Sequence, residues 1–450
     1  MIELAAIGGY NEAGKNMTAI KYNDEVVICD MGLFLPRILD FEEEGGHRED
    51  LTDAQLIKIG AIPDDRVIEK WRDYVKVIVL GHCHLDHLGA AQYLAQRYDA
   101  PLVGTPYTMN VLKKMFFDDK VNIPNRFVPL NVNSKYKVSE NIEIEFINMT
   151  HSTLQTVMTA IHTPDGTIIY ANDFKFDNHP VIGLKPNYHV LEKIGEKNAL
   201  ALVVDSLYSN TERKTPSEKV AREMLKDVLL GTSNFGKLVI VTTFASHIAR
   251  LQSVIDFGKE MDRKIIFLGR SLSKYVGAAE RAGLVNFSAD VEIVPYAGMI
   301  NKKLAKVEKE RGKYLIVCTG NQGEPKSVLS RMARGEFDFK LVEGDHVVFS
   351  CNVIPVEENI SNRDKLEKLL NKARVRIFTG IHQSGHASRE DLRDLVNMIK
   401  PKYIIPAHGE HEKLNSMAEL AKEEGYKLNK NVLVLNDGDI VKLDGSKLEN

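Results

Sequence analysis

The sequence predicts an α/β protein in which a doubly wound domain interrupts a β-rich domain. Between residues 208 and 375, short apolar strands alternate with amphipathic helices, which is typical of a parallel sheet with helices on both faces. On either side of that stretch, several apolar β-runs end in histidine or aspartate. We therefore predict one domain made of residues 1–207 and 376–450, with residues 208–375 inserted into it as a second domain.

The composition is that of an ordinary globular protein. Of 450 residues, 44% are hydrophobic and 27% are charged. No run approaches the ~18 apolar residues of a membrane span, so we expect no membrane association and no signal segment. The cysteines lie far apart without a CxxC pair, which predicts no disulfide framework and a reducing, cytoplasmic setting.

Two stretches rich in lysine and arginine are candidate contacts for nucleic acid. They are Asn301–Lys313 and Arg363–Arg376. The net charge of −3 does not itself indicate a polyanionic partner, so any such contact depends on local patches of this kind. A solvated helix face explains either stretch equally well.

The N-terminal residues predict strands joined by glycine-rich turns. The strands are Glu3–Ile7, Met17–Tyr22 and Val26–Asp30. Residues 37–73 are charged and predict a loop-rich surface segment.

Four side chains of the metal-binding kind follow the strand that starts at Val75, just before a helical pattern near Leu88. They are His82, His84, Asp86 and His87. Imidazole favours zinc and tolerates manganese, and two such ions about 3.5–4 Å apart can share a water and lower its pKa towards neutrality. We therefore predict two divalent ions per subunit, zinc before manganese. A merely solvated histidine-rich loop is the weaker interpretation for ligands so closely spaced.

Two ions need more ligands than this loop offers, and further candidates each close a β-run. His151 follows Ile142–Met149, Asp173 follows Thr167–Tyr170, and His408 follows Tyr403–Ile405. Residues 127–173 predict a β-rich section with a hairpin turn at Asp165–Gly166. Ala199–Asp205 predicts a further strand.

The inserted stretch begins with Thr215–Glu218, which predicts a capping box with proline at the first helical position of a helix to Leu230. Four strand–helix pairs follow. The strands are Leu238–Val241, Ile265–Leu268, Tyr314–Cys318 and His346–Phe349, and the helices are Ala245–Met261, Leu272–Ala282, Ser327–Gly335 and Asn362–Lys372. Arg376–Gly380 then predicts a strand again, and the chain closes with a predicted hairpin at Val432–Leu443.

The pattern His82-x-His84-x-Asp86-His87, with the three later ligands, resembles the metallo-β-lactamase superfamily. The resemblance implies an αββα sandwich that binds two metal ions. It implies one ion on His82, His84 and His151, a second on Asp86, His87 and His408, and Asp173 as the bridge between them. It also implies that Asp30 braces the histidine loop, for which a plain turn aspartate is the alternative.

Three further features resemble the β-CASP branch of that superfamily, which processes nucleic acid. A doubly wound domain is inserted before the last histidine ligand. Asp205 ends a strand where the branch has its acidic motif A, and His386, within His382–Ser388, corresponds to the histidine of motif B. His408 corresponds to motif C. The resemblance implies Asp86, Asp205 and His386 as catalytic residues.

Within the branch, three segments resemble ribonuclease J: Thr319–Pro325, Thr243–Ser246 and Asp173–Asp177. The resemblance to that family extends over nearly the whole chain. Bacterial members continue into a C-terminal dimerisation domain, and Ile354–Glu358 lacks the glycine usual in the family. The chain is thus more similar to the shorter archaeal type. Any homodimer is expected to form without that domain.

This resemblance implies a metal-dependent ribonuclease that acts on single-stranded RNA, chiefly as a 5′–3′ exonuclease on 5′-monophosphorylated ends, with endonucleolytic cutting left open. His386 would donate a proton to the leaving 3′ oxygen, although Ser388 and Asp391 also suit a helix cap beside it. The expected phosphate contacts are His382, Gln383, Ser384, Gly385, His386 and Ser388. Phe244 and Ser246 would contact a base, with core packing as the alternative for Phe244. Gln322 and Gly323 would recognise a terminal phosphate.

Three other functions remain open at this point. An endonuclease of the mRNA 3′-end-processing kind belongs to the same branch. A small-molecule metallohydrolase, such as a lactamase or thioesterase, shares the ligands but does not need the long insertion. An inactive RNA-binding subunit is disfavoured because all seven ligand positions carry ligand-type residues.

Overall fold

The computed structural model describes residues 1–43, 51–197 and 199–445. It contains two compact units. The first comprises residues 1–178, 184–215 and 385–450, and the second comprises residues 179–183 and 216–384. The predicted fold class is confirmed, since the first unit holds two sheets and the second holds one parallel sheet. The exact domain boundaries predicted above stay a prediction.

The first sheet of the first unit has seven strands within the described residues, numbered here in chain order. They are β1 (Ile2–Gly8), β2 (Met17–Tyr22), β3 (Glu25–Cys29), β4 (Val75–Leu80), β5 (Leu102–Gly104), β6 (Phe127–Pro129) and β19 (Ile440–Leu443). Their order is β19-β1-β2-β3-β4-β5-β6. β3 runs parallel to β4 with Cys29 opposite Val79. This pairing brings Asp30 to the loop that follows β4.

The second sheet of this unit has six described strands. They are β7 (Lys135–Lys137), β8 (Glu143–Asn148), β9 (Val157–Thr163), β10 (Gly166–Ala171), β11 (Ala199–Asp205) and β18 (Tyr403–Ala407). Their order is β18-β11-β10-β9-β8-β7. The predicted hairpin is confirmed, because β9 and β10 pair with Thr163 opposite Gly166. β11 and β18 are parallel with Asp205 opposite Ala407, so Asp205 lies beside His408.

The two sheets of the first unit share a buried apolar layer, which includes Leu4, Val79, Phe146 and Ile405. A second buried layer lies on the other face of the second sheet, where helices pack against it. The helices of this unit are α1 (Leu35–Glu43), α2 (Asp53–Lys58), α3 (Leu85–Leu88), α4 (Ala91–Leu94), α5 (Pro106–Asp118), α6 (Tyr188–Gly195), α13 (Arg389–Ile399) and α14 (His411–Glu423). Burial of these apolar faces is the main driving force for the fold.

The second unit is a doubly wound sheet whose described strands pair only in parallel. The strands are β12 (Val239–Thr242), β13 (Lys264–Leu268), β14 (Val291–Val294), β15 (Tyr314–Cys318), β16 (His346–Phe349) and β17 (Arg376–Phe378), in the order β14-β13-β15-β12-β16-β17. The helices are α7 (Glu218–Gly231), α8 (Ile248–Glu260), α9 (Arg270–Arg281), α10 (Ala297–Val307), α11 (Val328–Ala333) and α12 (Glu357–Lys372). β14 and α10 had not been predicted.

Some local predictions were wrong. Residues 37–73 are not loop-rich where they are described, since they contain most of α1, all of α2 and a 3₁₀ segment at Asp65–Tyr74. Residues 44–50 lie outside the described part. Val432–Leu443 is not a hairpin: Val432 bridges Ile404, and β19 pairs antiparallel with β1.

The predicted capping box at Thr215–Glu218 was also wrong. Ser217 caps α7, and its hydroxyl accepts from the N–H of Lys219. Thr215 instead contacts the segment that carries His386, as described below. α12 starts at Glu357, five residues before the predicted start at Asn362.

In the ranges that the structure describes, we find no helix with both the length and the apolar character to cross a membrane.

Candidate metal centre

The predicted ligands converge at the carboxyl ends of strands in the first unit. The loop after β4 carries His82, His84, Asp86 and His87, because the chain turns there into the short helix α3. His151 follows β8, Asp173 follows β10 and His408 follows β18. Three groups result, in each of which the candidate ligand atoms lie within 4.8 Å of one another. Two share Asp173: His82, His84, His151 and Asp173, and Asp86, His87, His408 and Asp173; the third is Asp205, His386 and His408.

Asp173 belongs to the first two groups, and each of its carboxylate oxygens faces one of them. Oδ2 lies 3.4 Å from Nε2 of His82 and 3.4 Å from Nε2 of His151. Oδ1 lies 3.2 Å from Nε2 of His87 and 3.5 Å from Nε2 of His408. One carboxylate therefore faces both groups of candidate ligands.

The chemistry of the donor set fits divalent metal. Within the described ranges, Nε2 of His82 and Oδ1 of Asp173 are buried and have no hydrogen-bond partner. Buried polar atoms are nearly always satisfied by a partner, and imidazole and carboxylate are both zinc ligands. A cation among these atoms would supply the missing partner.

Hydrogen bonds to Nδ1 orient several of the imidazoles. Nδ1 of His87 lies 2.7 Å from Oδ2 of Asp30, and Nδ1 of His151 lies 2.7 Å from the carbonyl oxygen of Gly385. Because Nδ1 is occupied, Nε2 is left to face the centre, which is how outer partners commonly orient metal-binding histidines. The other oxygen of Asp30 accepts from the N–H of Gly81 at 2.9 Å. Asp30 therefore contacts the histidine loop twice, and its bracing role stays a prediction.

Electrostatics keep some imidazoles neutral. Burial lowers the pKa of His82 and lowers the pKa of His84 to about 3. Burial would also lower the pKa of His87, but Asp173, Asp86 and Asp30 outweigh it and hold that pKa well above its ordinary value. Burial raises the pKa of Asp173, yet the surrounding imidazoles outweigh burial and hold it well below the usual range. Neutral imidazole and ionised carboxylate are the metal-binding forms.

The backbone is strained at the same place. Asp30, Asp173 and His408 have φ angles of 63°, 50° and 53°, in the left-handed region that non-glycine residues seldom adopt. Such strain of order 1–3 kcal/mol per residue tends to be kept at functional sites. Here it aims the side chains that follow β3, β10 and β18.

His386 lies at the edge of this centre and pairs with Asp205. Its Nδ1 is 2.8 Å from Oδ2 of Asp205, and its Nε2 is 3.9 Å from Oδ2 of Asp173. Its ring stacks on that of His408 at a centroid distance of 5.6 Å. Burial would lower the pKa of His386, but Asp173 and Asp205 outweigh it and raise the pKa to about 9. Asp205 therefore orients the imidazole of His386.

The backbone around His386 is fixed by contacts from both sides. The hydroxyl of Thr215 donates to the carbonyl of His386 at 2.7 Å. Asp391 accepts from the N–H groups of Thr215 and Ser388, at 2.7 Å and 3.2 Å, so the predicted Ser388–Asp391 cap of α13 is confirmed. Sequence reasoning had not given Thr215 this role.

The predicted substrate residues of the second unit have structural partners there. Phe244 is half-buried and packs against the apolar core of that unit, which agrees with the alternative interpretation of core packing. The side-chain amide of Gln322 donates to the carbonyl of Asn352 and accepts from the N–H of Ile354. Gly323 has φ 81°, and a Cβ there would meet the backbone of Asn362 at 2.4 Å.

The other predicted contacts vary in burial. Ser246 is buried, and His382, Gln383 and Ser384 are half-buried. The amide of Gln383 lies 3.8 Å from the sulfur of Met224. Gly385 and Ser388 are buried in the first unit, next to the centre.

Asn16 was missed altogether. It lies in the turn between β1 and β2, is fully buried, and contacts both His87 and His408. A sequence signal was present only in its surroundings, since glycines at 8, 9 and 14 allow the chain to pass close to another segment.

Three family descriptions match successive parts of the chain. Residues 11–189 match the metallo-beta-lactamase superfamily, and residues 236–372 match the beta-CASP domain of ribonuclease J. Residues 372–435 match the RNA specificity domain of zinc-dependent metallo-hydrolases.

Relatives match along nearly the whole chain. The chain is 42% identical to ribonuclease J of Methanocaldococcus jannaschii over 98% of this chain and 99% of that protein. It is 43% identical to ribonuclease J of Pyrococcus abyssi over 99% of this chain and 98% of that protein. A solved structure from Enterococcus faecalis V583, of a protein of unknown function, covers 98% of this chain and 99% of its own chain at 19% identity and a TM-score of 0.66. That last similarity shows the fold alone.

Proposed function

This chain belongs to the ribonuclease J family, and from that premise we propose that it degrades single-stranded RNA from a 5′-monophosphate end, nucleotide by nucleotide. It is a metal-dependent ribonuclease that hydrolyses RNA phosphodiesters. Our proposal also includes the direction of cutting, the recognition of the 5′ end, the choice of zinc and the presence of two ions.

The observation that carries the two-ion part of the proposal is the position of Asp173 between two groups of ligands, with one carboxylate oxygen towards each. His82, His84 and His151 would hold one ion, and Asp86, His87 and His408 the other. Two divalent cations, when bound, activate a water for attack and neutralise charge that develops on the phosphate oxygens. Zinc is our choice because imidazole predominates among the ligands.

His386 would act as the general acid. Asp205 binds its Nδ1 and leaves Nε2 directed to the centre. A proton held at that Nε2 can pass to the 3′ oxygen as it leaves, and such assistance is typically worth about 10²–10⁴-fold in rate. Thr215 would keep the imidazole in place, because it holds the carbonyl of the same residue.

The segment around His386 would also bind phosphate. α13 begins just after Ser388, but its first N–H groups already donate to the carbonyls of Thr211, Arg213 and Ser388, so the residues before the helix would make the phosphate contacts. Gly385 lets this segment approach the metal ligands, because a Cβ on it would lie 2.8 Å from Nδ1 of His151. We propose that His382, Gln383 and Ser384 complete the phosphate contacts.

Within the second unit, we propose RNA contacts at the carboxyl edge of the parallel sheet, where such folds bind ligands. Phe244 and Ser246 follow β12, and Gln322 and Gly323 follow β15. The exposed part of Phe244 would stack on a base, which reads no sequence. Gln322 and Gly323 would bind the terminal phosphate, which limits cutting to one nucleotide at a time.

The test compares linear RNA carrying a 5′-monophosphate or a 5′-triphosphate with a circular RNA of the same sequence, in zinc or in manganese. We expect mononucleotides from the monophosphate substrate, slow turnover of the triphosphate and none of the circle. Asp86→Ala serves as the inactive control. Equal cutting of circular RNA into fragments would contradict the exonuclease proposal and favour an endonuclease.

A further inference from the structure

We infer that Asn16 is a positioning residue for the second metal ion, because it fixes the ring orientation and the tautomer of His408. This inference rests on the proposed site of two ions. It concerns a side chain that touches ligands without being one.

The amide of Asn16 is fully buried and has a defined orientation. Its Nδ2 lies 3.0 Å from the carbonyl oxygen of Asp86, which can only accept. The amide nitrogen must therefore point to Asp86, and Oδ1 points the other way. Asn172 agrees with this orientation, because its Nδ2 donates to Oδ1 of Asn16 at 3.3 Å.

This orientation places an acceptor beside the ring of His408. Nδ1 of His408 lies 3.1 Å from Oδ1 of Asn16. The same ring nitrogen is 2.9 Å from Nδ2 of Asn16, whose second hydrogen also has Nε2 of His87 available, 3.2 Å from that amide nitrogen. A His408 that binds a cation through Nε2 must carry its proton on Nδ1, and Oδ1 of Asn16 is the acceptor placed to receive it. Nε2 of His408 is then left unprotonated, 3.5 Å from Oδ1 of Asp173.

His87, the neighbouring ligand, also has a hydrogen-bond partner at Nδ1, but that partner differs in charge. His87 donates from Nδ1 to the carboxylate of Asp30, whereas His408 donates from Nδ1 to a neutral amide. Nδ2 of Asn16 also lies 3.2 Å from Nε2 of His87, so one amide touches both imidazoles of the second group. A neutral partner fixes the tautomer without adding another negative charge beside Asp173 and Asp86.

The surrounding backbone makes room for this amide. Gly9 has φ +88°, and a Cβ on it would lie 2.4 Å from Oδ1 of Asn16. The carbonyl of Gly9 also accepts from the N–H of His408 at 2.6 Å. The turn after β1 therefore holds the backbone of His408 while Asn16 holds its ring.

The expected effect of Asn16→Ala is the loss of one of the two ions. Removing an outer hydrogen-bond partner of a metal-binding histidine typically lowers metal affinity about 10–100-fold. Metal-free protein would be titrated with zinc against a chromophoric chelator, and with cobalt to follow its visible absorption. We expect one site of wild-type affinity and one weakened site. Asn16→Asp keeps an acceptor for Nδ1 of His408 but loses the donor to the carbonyl of Asp86, so it should recover the second site only in part.

The tautomer of His408 can also be measured directly, and a general loss of stability would not change it. Nitrogen-15 NMR of metal-free protein at alkaline pH would measure this, with the His408 signals assigned by comparison with His408→Gln. We expect His408 to be protonated on Nδ1 in the wild type. In Asn16→Ala, we expect its two neutral tautomers to exchange. Asn125→Ala is the matched control, because Asn125 is a buried asparagine whose amide holds the carbonyls of Ala95, Tyr98 and Ala100. It should lower the melting temperature without changing metal affinity.

Wild-type affinity for both ions in folded Asn16→Ala would overturn the inference. So would a wild-type His408 protonated on Nε2, a result that needs no variant to fold. If the wild type itself binds fewer than two ions, the proposed site fails instead, and the two failures are thereby distinguished.

Discussion

The metal centre of the first unit and a buried ion pair of the second unit both place charges away from water. They differ in whether the protein supplies a hydrogen-bond partner for each buried polar atom. In the second unit, Arg250 is fully buried and forms a bidentate pair with Glu218, at 2.6 Å and 2.9 Å. Its third nitrogen donates to Ser350 and to the carbonyl of Ile381. All the nitrogens of this guanidinium therefore have protein partners.

In the metal centre, some buried polar atoms have no hydrogen-bond partner from the protein in the described ranges. His82 and Asp173 each keep a buried polar atom without a hydrogen-bond partner in the described ranges, although several imidazoles and carboxylates crowd around them. Leaving buried polar groups unsatisfied costs about 1–3 kcal/mol each. The comparison teaches that Arg250 has all its partners within the protein, whereas the ligand-type groups around Asp173 would gain one from a bound cation.

The largest effect that would test this comparison is expected for Asp173→Asn. An amide cannot give one anionic oxygen to each group of ligands, so both ions should be lost. Since the proposed ions would provide the nucleophile and several kcal/mol of charge stabilisation, we expect RNA hydrolysis to fall by at least ~10⁵-fold. Single-turnover assays with metal analysis of the same sample would measure this.

A matched control is Asp165→Asn. Asp165 lies in the turn between β9 and β10 and pairs with the N-terminal amine at 2.6 Å, and its substitution should leave activity and metal content unchanged. Hydrolysis by Asp173→Asn within tenfold of the wild type would show that Asp173 does not bridge the ions.

A smaller effect is expected for His386→Ala, because His386 belongs to the group with Asp205 and His408 and to neither of the two groups that share Asp173. We expect hydrolysis to slow about 10²–10⁴-fold while metal analysis still finds both ions. His162→Ala is the control, since His162 lies on β9 and pairs with Glu145 at 2.9 Å. Loss of an ion from His386→Ala would make His386 a ligand instead of an acid.

The ligands could be predicted from the sequence because each follows a β-run, and parallel strands end at the same edge. Asp205 and His408 meet for the same reason, through the register of β11 and β18. Asn16 could not be predicted in this way. Its role arises from a turn after β1 that packs against Asp86 and His408, which lie 70 and 392 positions further along the chain. No local sequence pattern encodes that packing.

Other predictions were wrong because a competing contact or signal prevailed. Thr215 had the local pattern of a helix cap, but its hydroxyl binds His386 and Ser388, and Ser217 caps α7. Residues 37–73 were predicted as loops from their charge, although Thr52 and Gln55 form a capping box that opens α2. β19 looked like half of a hairpin, yet long-range pairing with β1 determines its position.

The smallest expected effect concerns the satisfied network, where Glu218→Gln should change stability and leave metal binding intact. Removing one partner of a buried ion pair leaves an uncompensated charge, which typically costs about 3–5 kcal/mol. Burial raises the pKa of Glu218, but His247 and Arg250 outweigh it and hold that pKa well below its ordinary value.

A pKa lowered in the folded state means that the carboxylate stabilises the fold above the unfolded-state pKa of about 4.3, and that this contribution is lost as the pH falls below it. The difference in unfolding free energy between wild type and Glu218→Gln should therefore be largest at neutral pH and shrink from about pH 4 downwards. Urea unfolding across that range would measure it. A difference that does not vary with pH would mean that packing, and not charge, makes this network stable. The paired variant Glu218→Met with Arg250→Met, which removes both charges, should recover much of the loss, as apolar replacements of buried ion pairs often do.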